Sequence, residues 1–486
     1  MRSDAVTSNR WLILVIACMA QFMVVLDNTI VNVALPSVQH GLHFSAANLQ
    51  WVVNAYTLIF GGFLMLGGRA ADLLGRRRLF VAGVALFAAA SLLNGVSQSS
   101  TMLILGRGLQ GLGGALVSPA ALSIIMTTFQ DTGERTRALG IWSAIAAGGA
   151  ALGLLVGGIL TDLVSWRWNF FVNVPVGIAT VLLALRYVPE SRAELGHRKF
   201  DAIGATTVTA GLLALVFGIV KAQTWGWGSV RTLAVLGGAV LTLALFLAVE
   251  TRSEAPLVRL SIFRVRSIAT ANAAMLLVAS GMFGMFFFVS LYVQEVLGYS
   301  PLKAGLAFLP ASVGIIIGAG VSQNLIGRFG ARNVAVGGMT LAMAGMLLFT
   351  GIPVHGSYVS DILAGLMPLT IGLGATFVPL TLLGTSGVSN DDAGLASGLF
   401  NSAQQVGGSL GLAILSTLAA DHTSSLLKHG AVTHVAQVAA RVSGYHVAFI
   451  AGAVMLGSGP LLLMALLRRR HLAGIEVDPS AIPATI

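Results

Sequence analysis

The chain has 486 residues, of which 56% are hydrophobic and only 9% are charged. A soluble protein of this length needs far more charge to cover its surface, so the composition excludes water as the main solvent. The net charge of +10 is compatible with nucleic-acid binding, but the basic residues lie in short connections between apolar runs, which is typical of cytoplasmic loops and anionic-lipid contacts. We therefore expect a protein of the lipid bilayer that binds no nucleic acid.

Fourteen apolar runs follow one another along the chain. A helix needs roughly 20 apolar residues to cross the hydrocarbon core, and these runs approach or exceed that length. The runs are residues 11–36, 49–68, 79–95, 102–125, 138–160, 170–185, 202–220, 233–249, 268–293, 304–325, 334–349, 362–383, 396–418 and 447–467. The predicted fold is an all-α polytopic membrane protein with fourteen transmembrane helices.

The distribution of Lys and Arg predicts the orientation of the spans. With the N-terminus inside, 21 of the 28 Lys and Arg residues fall in cytoplasmic connections, 6 fall outside, and Arg107 alone lies within a span. This enrichment is the one expected of cytoplasmic loops, and adding or removing a span would spoil it. The first run is too long for a signal peptide and no small-residue cleavage site follows it. We predict a multi-pass protein of the cytoplasmic (inner) membrane with both termini cytoplasmic.

The spans group as six, two and six. We predict an N-terminal six-helix bundle over residues 1–199, two inserted helices with a basic cytoplasmic linker over 200–266, and a C-terminal six-helix bundle with a short tail over 267–486. Two equal units related as parallel repeats are typical of secondary transporters.

The connection after the second span reads GRAADLLGRRR over residues 68–78. Gly68 and Gly75 permit a tight turn at the membrane face, and Asp72 is a carboxylate able to meet a helix N-terminus or arginines. The general enrichment of Lys and Arg in cytoplasmic loops explains the arginines of this segment but not Asp72. The segment resembles the signature loop of the major facilitator superfamily, which implies the same fold, two six-helix bundles plus two inserted helices here. In that family the loop is a conformational latch, so the resemblance implies a latch of Gly68, Asp72, Gly75 and Arg76.

The first and fourth spans each carry a charge. Residues 26–36, LDNTIVNVALP, resemble the motif that ends the first span of the fourteen-span drug:proton antiporter family, and residues 105–111, LGRGLQG, resemble its span-four arginine motif, which is associated there with proton coupling. A carboxylate within a span is costly and is by default a functional candidate. At ~1.5 Å per residue, Asp27 and Arg107 both lie roughly 8 to 14 Å below the outer surface. We hypothesise that they meet and that Asp27 alternates between a proton and the influence of Arg107; a purely structural ion pair is the alternative.

The fifth span contains the glycine spacing of the family's antiporter signature, at Gly149, Gly153, Gly157 and Gly158. Small residues at this spacing let helices approach closely. Where the family has a proline after Gly153, this chain has Leu154, so the resemblance does not imply the kink ascribed to that proline. Residues 166–170, with Asn173 and Pro175, resemble the family's entry to span six, and interfacial anchoring explains their tryptophans.

Polar, Met and Phe side chains within the spans are the predicted contacts of a substrate cavity. Gln21, Asn28 and Asn32 share one stripe of the first helix, and Met and Phe offer adaptable apolar contacts that suit varied substrates. The predicted set is Gln21, Asn28, Asn32, Asn54, Tyr56, Met275, Met282, Phe283, Phe286, Phe287, Asn401, Gln404 and Gln405. For the Met and Phe residues, contact with lipid is the alternative.

The sequence contains no Walker A segment, and no pair of acids or Cys/His cluster lies within the spans, so we expect neither an enzyme nor an ATP-driven pump. The histidines His422, His429 and His434 have no metal-site spacing. The predicted function is proton-coupled export of small amphipathic drugs or antibiotics by a monomer in the lipid bilayer, with no metal and no cofactor beyond the proton gradient. A proton symporter, or a lipid or metabolite exporter of the same fold, is the alternative.

Overall fold

The computed structural model describes residues 2–191, 201–253, 256–386, 393–428 and 433–467. These residues form helices joined by short connections, with no strand among them. The first ten α-helices are α1 (Arg2–Leu42), α2 (Ala46–Leu49), α3 (Trp51–Leu74), α4 (Arg76–Gly95), α5 (Ser100–Thr128), α6 (Thr132–Leu163), α7 (Trp168–Phe171), α8 (Asn173–Tyr187), α9 (Ala202–Trp225) and α10 (Val230–Arg252). The next seven are α11 (Arg266–Leu291), α12 (Pro301–Ala307), α13 (Leu309–Phe329), α14 (Ala331–Leu348), α15 (Ala364–Thr385), α16 (Ala393–Leu427) and α17 (His434–Leu466).

Polar caps at the membrane faces begin several of these helices. Ser99 accepts a hydrogen bond from the Met102 N–H at the start of α5, and Asp131 accepts one from the Glu134 N–H at the start of α6. Such caps satisfy backbone donors that have no partner within the helix. The ends of the helices are therefore encoded locally, in the short connections between the apolar runs.

The all-α polytopic fold is confirmed. In the described part of the chain, thirteen helices are long and apolar enough to cross a membrane. The remaining predicted span, 138–160, lies on α6, a helix of 32 residues whose shorter described apolar part is Leu152–Leu163. Each of the fourteen predicted runs thus lies on helical chain.

Two predicted boundaries differ from the structure. α1 continues through Pro36 to Leu42, because a proline removes one backbone donor but membrane helices tolerate this. The segment 419–445, which separates the last two predicted spans and was therefore expected to be an external loop, is helical at both of its ends, where α16 extends to Leu427 and α17 begins at His434. The segment is rich in alanine, the strongest helix former.

The helices form two compact units. The first comprises Met1–Gly218, Trp227–Leu257 and Val293–Leu309. Within it α1 packs against α5, α6 and α8, and α5 packs against α3 and α4. The two inserted helices, α9 and α10, fall mainly in this unit. The sequence-based division at residues 199 and 266 stays a prediction.

Small residues bring the inserted helices together. A Cβ on Gly211 of α9 would lie 2.8 Å from the Leu243 side chain of α10, and one on Gly218 would lie 2.6 Å from Leu236. Glycine at these positions therefore permits close antiparallel packing. α9 also contacts α3, where the Trp51 and Phe217 rings lie 6.4 Å apart.

The second unit comprises Ile219–Gly226, Val258–Tyr292 and Pro310–Ile486. Within it α11 packs against α15, α16 and α17, and α14 packs against α15 and α17. The Ser280 hydroxyl of α11 donates to the Gly407 carbonyl of α16 over 2.8 Å. At one end of the unit the buried Tyr292 hydroxyl donates to the Pro353 carbonyl over 2.6 Å.

Candidate functional site

Four helices of the first unit converge on Asp27. Asp27 lies in α1, Arg107 and Gln110 lie one turn apart in α5, Ser91 and Asn94 lie in α4, and Asn173 is the first residue of α8. These six residues, which we call the acid site, are all buried. Polar side chains with so little exposure in a membrane protein are costly unless they bind one another.

The centre of the acid site is an ion pair. Arg107 Nη1 lies 2.5 Å from Asp27 Oδ2, and the two side chains are 1% and 0% exposed. The structure therefore places Asp27 and Arg107 in contact, as their depths in the spans predicted. A buried pair of opposite charges is tolerated where an isolated charge is not, because each ion replaces part of the other's lost hydration.

Amide groups complete the shell around the carboxylate. Asp27 Oδ1 accepts from Gln110 Nε2 over 2.6 Å and from Asn173 Nδ2 over 2.8 Å. Gln110 also donates to the Ser91 hydroxyl, while its Oε1 accepts from Arg107 Nη1 and Asn94 Nδ2, both over 2.8 Å. Both donors and both acceptor positions of the Gln110 amide are thus occupied.

The arginine is held from the sides as well. Arg107 Nε donates to the Val52 carbonyl of α3 over 2.9 Å. Its guanidinium carbon lies 4.4 Å from the centre of the Tyr56 ring and 5.9 Å from that of Phe170. Aromatic faces attract a cation most strongly where water is absent, so Tyr56 belongs to the surroundings of the ion pair.

Sequence reasoning found the two charges but not the whole site. It named Gln110 and Asn173 only as parts of motifs, and it did not name Ser91 or Asn94. The available signal was that each is an amide or hydroxyl within or beside an apolar run. Their convergence depends on the rotation of α4 and α8, which sequence does not specify.

The predicted span-five glycines lie against α1 and α12. A Cβ on Gly157 would lie 2.7 Å from the Ile30 carbonyl, and one on Gly158 would lie 2.7 Å from the Pro301 carbonyl. Gly153 faces Thr29, and Gly149 faces Phe22 and Val25. α6 runs unbroken through Leu154. The glycines therefore pack α6 directly on the helix that carries Asp27.

The predicted latch loop joins α3 to α4. Gly75 has a φ of +113° and separates the two helices. This conformation favours glycine, which has no Cβ. The Arg76 N–H donates to the Ser191 carbonyl over 3.0 Å. Gly68 lies near Pro119 of α5. The Asp72 side chain lies outside the described part of the structure.

Glu190 is the acid that the structure places at this loop. Its Oε1 accepts from the Arg77 N–H over 3.2 Å, at the start of α4. Its Oε2 lies 3.8 Å from Arg77 Nε and 3.6 Å from Arg78 Nε. A carboxylate at a helix N-terminus is stabilising. In the sequence, Glu190 lies in the connection between the predicted spans 170–185 and 202–220, and nothing there pointed to a contact with this loop.

These features fit one family. A family model described as Major Facilitator Superfamily matches residues 17–412. The chain belongs to that superfamily. As a member of the Major Facilitator Superfamily it is a multi-pass membrane transporter, and the predicted resemblance to the superfamily's drug-efflux members is confirmed by its relatives.

Two relatives cover most of the chain. It is 41% identical to the puromycin resistance protein of Streptomyces alboniger over 94% of this chain and 90% of that protein. It is 40% identical to the cephamycin export protein of Amycolatopsis lactamdurans over 86% of this chain and 87% of that protein. The crystal structure of a bacterial homologue of the human lysosomal transporter Spinster has the same fold, with a TM-score of 0.67, 16% identity, and coverage of 97% and 99%.

The predicted cavity residues of this superfamily member are divided between the two units. In the first unit Gln21, Asn28 and Asn32 are half-buried on α1, whereas Asn54 and Tyr56 are fully buried on α3. Gln21 accepts from the Ser118 hydroxyl over 3.2 Å. The described contacts thus leave a substrate role open for α1 and place Tyr56 beside Arg107.

In the second unit the predicted residues lie on α11 and α16. Met275 and Phe287 are buried within the unit, and Asn401 is exposed. The half-buried members are Met282, Phe283, Phe286, Gln404 and Gln405. Phe283 packs directly on Gly408 of α16. A substrate role for this set stays a prediction.

Proposed function

We propose that the chain is a proton-coupled exporter of small amphipathic drugs or antibiotics that works by alternating access. The observation that carries this proposal is Asp27, an acid in a membrane span with no exposed surface. Its charge is balanced by Arg107 and its oxygens are bound by two amides. A proton can bind at such a site without displacing the surrounding helices, because it adds almost no volume.

The acid site provides a physical reason for coupling proton uptake to a change in helix arrangement. When Asp27 is ionised, the pair carries no net charge. When Asp27 takes up a proton, Arg107 remains as a buried cation without its counter-ion, which is unfavourable by several kcal/mol. A second helix arrangement in which Arg107 finds other partners then gains in population, because a ligand shifts a conformational equilibrium by its differential affinity.

The relatives support the substrate class. One is named for resistance to puromycin and another for export of a cephamycin. We extend from these names to this chain only the class, small amphipathic antibiotics or drugs. The bias of Lys and Arg supports insertion in the cytoplasmic membrane with both termini inside. We propose that a monomer suffices and that the proton gradient is the only energy source.

Proteoliposomes with an imposed pH gradient test the proposal. In a panel of labelled amphipathic antibiotics that includes puromycin and a cephamycin, at least one compound should be moved against the direction of proton flow by the parent chain and not by Asp27→Asn. Asp162→Asn is the matched control, because Asp162 is exposed at the end of α6 and its loss should leave transport unchanged. Full gradient-driven transport by Asp27→Asn would refute the role of Asp27, and movement with the protons would identify a symporter.

A further inference from the structure

Among the described residues, one donor links Asp27 to α8. Arg107 and Gln110 both belong to α5, whereas Asn173 is the first residue of α8 and donates to Asp27 Oδ1 over 2.8 Å. Its amide also lies 3.4 Å from the Ser91 hydroxyl. The charge of Asp27 therefore acts directly on the start of α8 through a single side chain.

The chain just before Asn173 is tied to other helices by bonds that do not involve Asp27. Arg167 Nη1 donates to the Gly95 and Ser97 carbonyls at the end of α4, over 3.1 and 2.5 Å. The Asn169 amide donates to the Thr161 hydroxyl of α6 over 2.7 Å. We call residues 166–173 the entry segment. It is anchored at its beginning on α4 and α6 and at its end on the carboxylate.

An amide N–H binds an ionised carboxylate more strongly than it binds a protonated carboxyl group. Hydrogen bonds from N–H groups to an ionised acceptor are shorter and about twice as strong as bonds to a neutral one. Protonation of Asp27 weakens the bond to Asn173 and places a hydrogen where an acceptor lone pair had been. Among the described residues, the titratable or charged groups that face Asp27 are Arg107 of α5 and Tyr56 of α3. α4 and α8 present Ser91, Asn94 and Asn173, which do not titrate.

We propose that Asn173 is a positioning residue of the acid site: it holds the start of α8 on the ionised Asp27 and releases it when Asp27 takes up a proton. The inference rests on Asp27 being the proton carrier of the proposed exporter. When Asp27 of α1 takes up a proton, Asn173 is released and the entry segment loosens. Proton uptake on one helix thereby changes the packing of another.

The first test removes the amide while keeping its shape. Asn173→Leu keeps the branched skeleton of four side-chain heavy atoms, at a larger volume, but has no donor. Asn169→Leu is the matched control, because it makes the same change in volume at a residue that is buried in the same segment and binds Thr161 instead. The infrared band of the protonated Asp27 carboxyl, assigned by its loss in Asp27→Asn, is titrated on the purified full chain. We expect its midpoint to move to higher pH by about one unit in Asn173→Leu and to stay unchanged in Asn169→Leu. Equal midpoints in the parent and Asn173→Leu would overturn the proposal.

The second test follows the entry segment itself and does not depend on the stability of Asn173→Leu. A cysteine replaces Trp168, whose side chain is 48% exposed, in a Cys18→Ala background, and is labelled with a water-soluble maleimide across the same pH range. Because a thiol loses reactivity as it is protonated, the labelling rate at each pH is divided by that of the same cysteine in the Asp27→Asn background. This ratio should rise as the carboxyl band appears. Labelling that ignores the titration of Asp27 would also overturn the proposal. Both tests use the purified chain without transport, so failure of gradient-driven export is a separate result.

Discussion

Removal of the arginine alone should destabilise the first unit more than removal of both charges. Arg107→Met leaves Asp27 without its counter-ion and deprives the Val52 carbonyl and Gln110 Oε1 of donors at 2.9 and 2.8 Å. Breaking a buried pair from one side costs about 3–5 kcal/mol, because a charge remains without compensation. Asp27→Asn in the same chain removes that charge and leaves a side chain of nearly the same shape.

The comparison is a double-mutant cycle on the free energy of unfolding, measured with denaturant in detergent micelles. We expect Arg107→Met to lose about 3–5 kcal/mol and the added Asp27→Asn to restore about 1–3 kcal/mol of it. The recovery should be incomplete, since the Val52 carbonyl and Gln110 Oε1 have still lost the hydrogen bonds from Arg107. Arg231→Met is the control, because Arg231 is exposed at the start of α10 and its loss should have little effect.

If the free-energy losses caused by Arg107→Met and Asp27→Asn were simply additive in the double variant, the proposed energetic coupling of the two residues would be refuted. Additivity would mean that Asp27 is hydrated or otherwise paired once Arg107 is gone, so that the two residues do not depend on each other energetically. A loss from Arg231→Met as large as that from Arg107→Met would show that the assay reports total charge rather than the buried pair.

Two further predictions concern the helices around the acid site. Gly157→Val should abolish transport, because its Cβ would lie 2.7 Å from the Ile30 carbonyl, whereas Gly148→Val on the same helix meets open space and should be tolerated; equal transport by both variants would contradict the packing. Glu190→Gln should raise the reactivity of a cysteine placed at Arg76 toward a cytoplasmic reagent, because it weakens the contacts of Glu190 with Arg77 and Arg78. Unchanged labelling would show that Glu190 does not hold the loop.

The positions of the spans were predictable because a membrane leaves helices little choice of length. About 20 apolar residues are needed whatever the tertiary packing, so the fourteen runs mark the helices. The similar depth of Asp27 and Arg107, on which we based the hypothesis that they meet, followed from the same regularity, since a fixed rise per residue sets the depth of each side chain. The continuation of α1 past Pro36 was not predictable, because a proline also fits the end of a helix.

The rest of the acid site depends on helix rotation. A soluble helix shows its buried face by the contrast between apolar and polar residues, but α4 and α5 are apolar on nearly all sides and show little such contrast. Ser91, Asn94 and Gln110 therefore give no sign of which way they face. Asn173 depends on the turn between α7 and α8 at Val172. The depth of these groups in the membrane was predictable from their positions in the apolar runs, but the neighbouring helix that each side chain faces was not.

The last prediction concerns which compounds are exported. A cation with two separated charges in a low-dielectric site requires two carboxylates, because each unpaired buried charge costs several kcal/mol. Of the 18 acidic residues in the sequence, Asp27 is the one deep within a predicted span, and it is already bound to Arg107. The other acids fall in connections, at the ends of spans or in the terminal segments before the first span and after the last; α12 and α13 contain none.

We therefore predict preferential export of neutral, zwitterionic or singly charged amphipaths and poor export of rigid dications. Resistance assays and proteoliposome transport should compare a monovalent quaternary ammonium dye with a bivalent diamidine of similar size, because equal size removes differences in fit. The parent chain should move the first and not the second. Robust gradient-driven export of the diamidine would mean that a second acid reaches the substrate. Glu295 and Asp361, both half-buried near the ends of their helices, are the first to test, since Glu295→Gln or Asp361→Asn should then abolish export of the diamidine while sparing that of the monovalent dye.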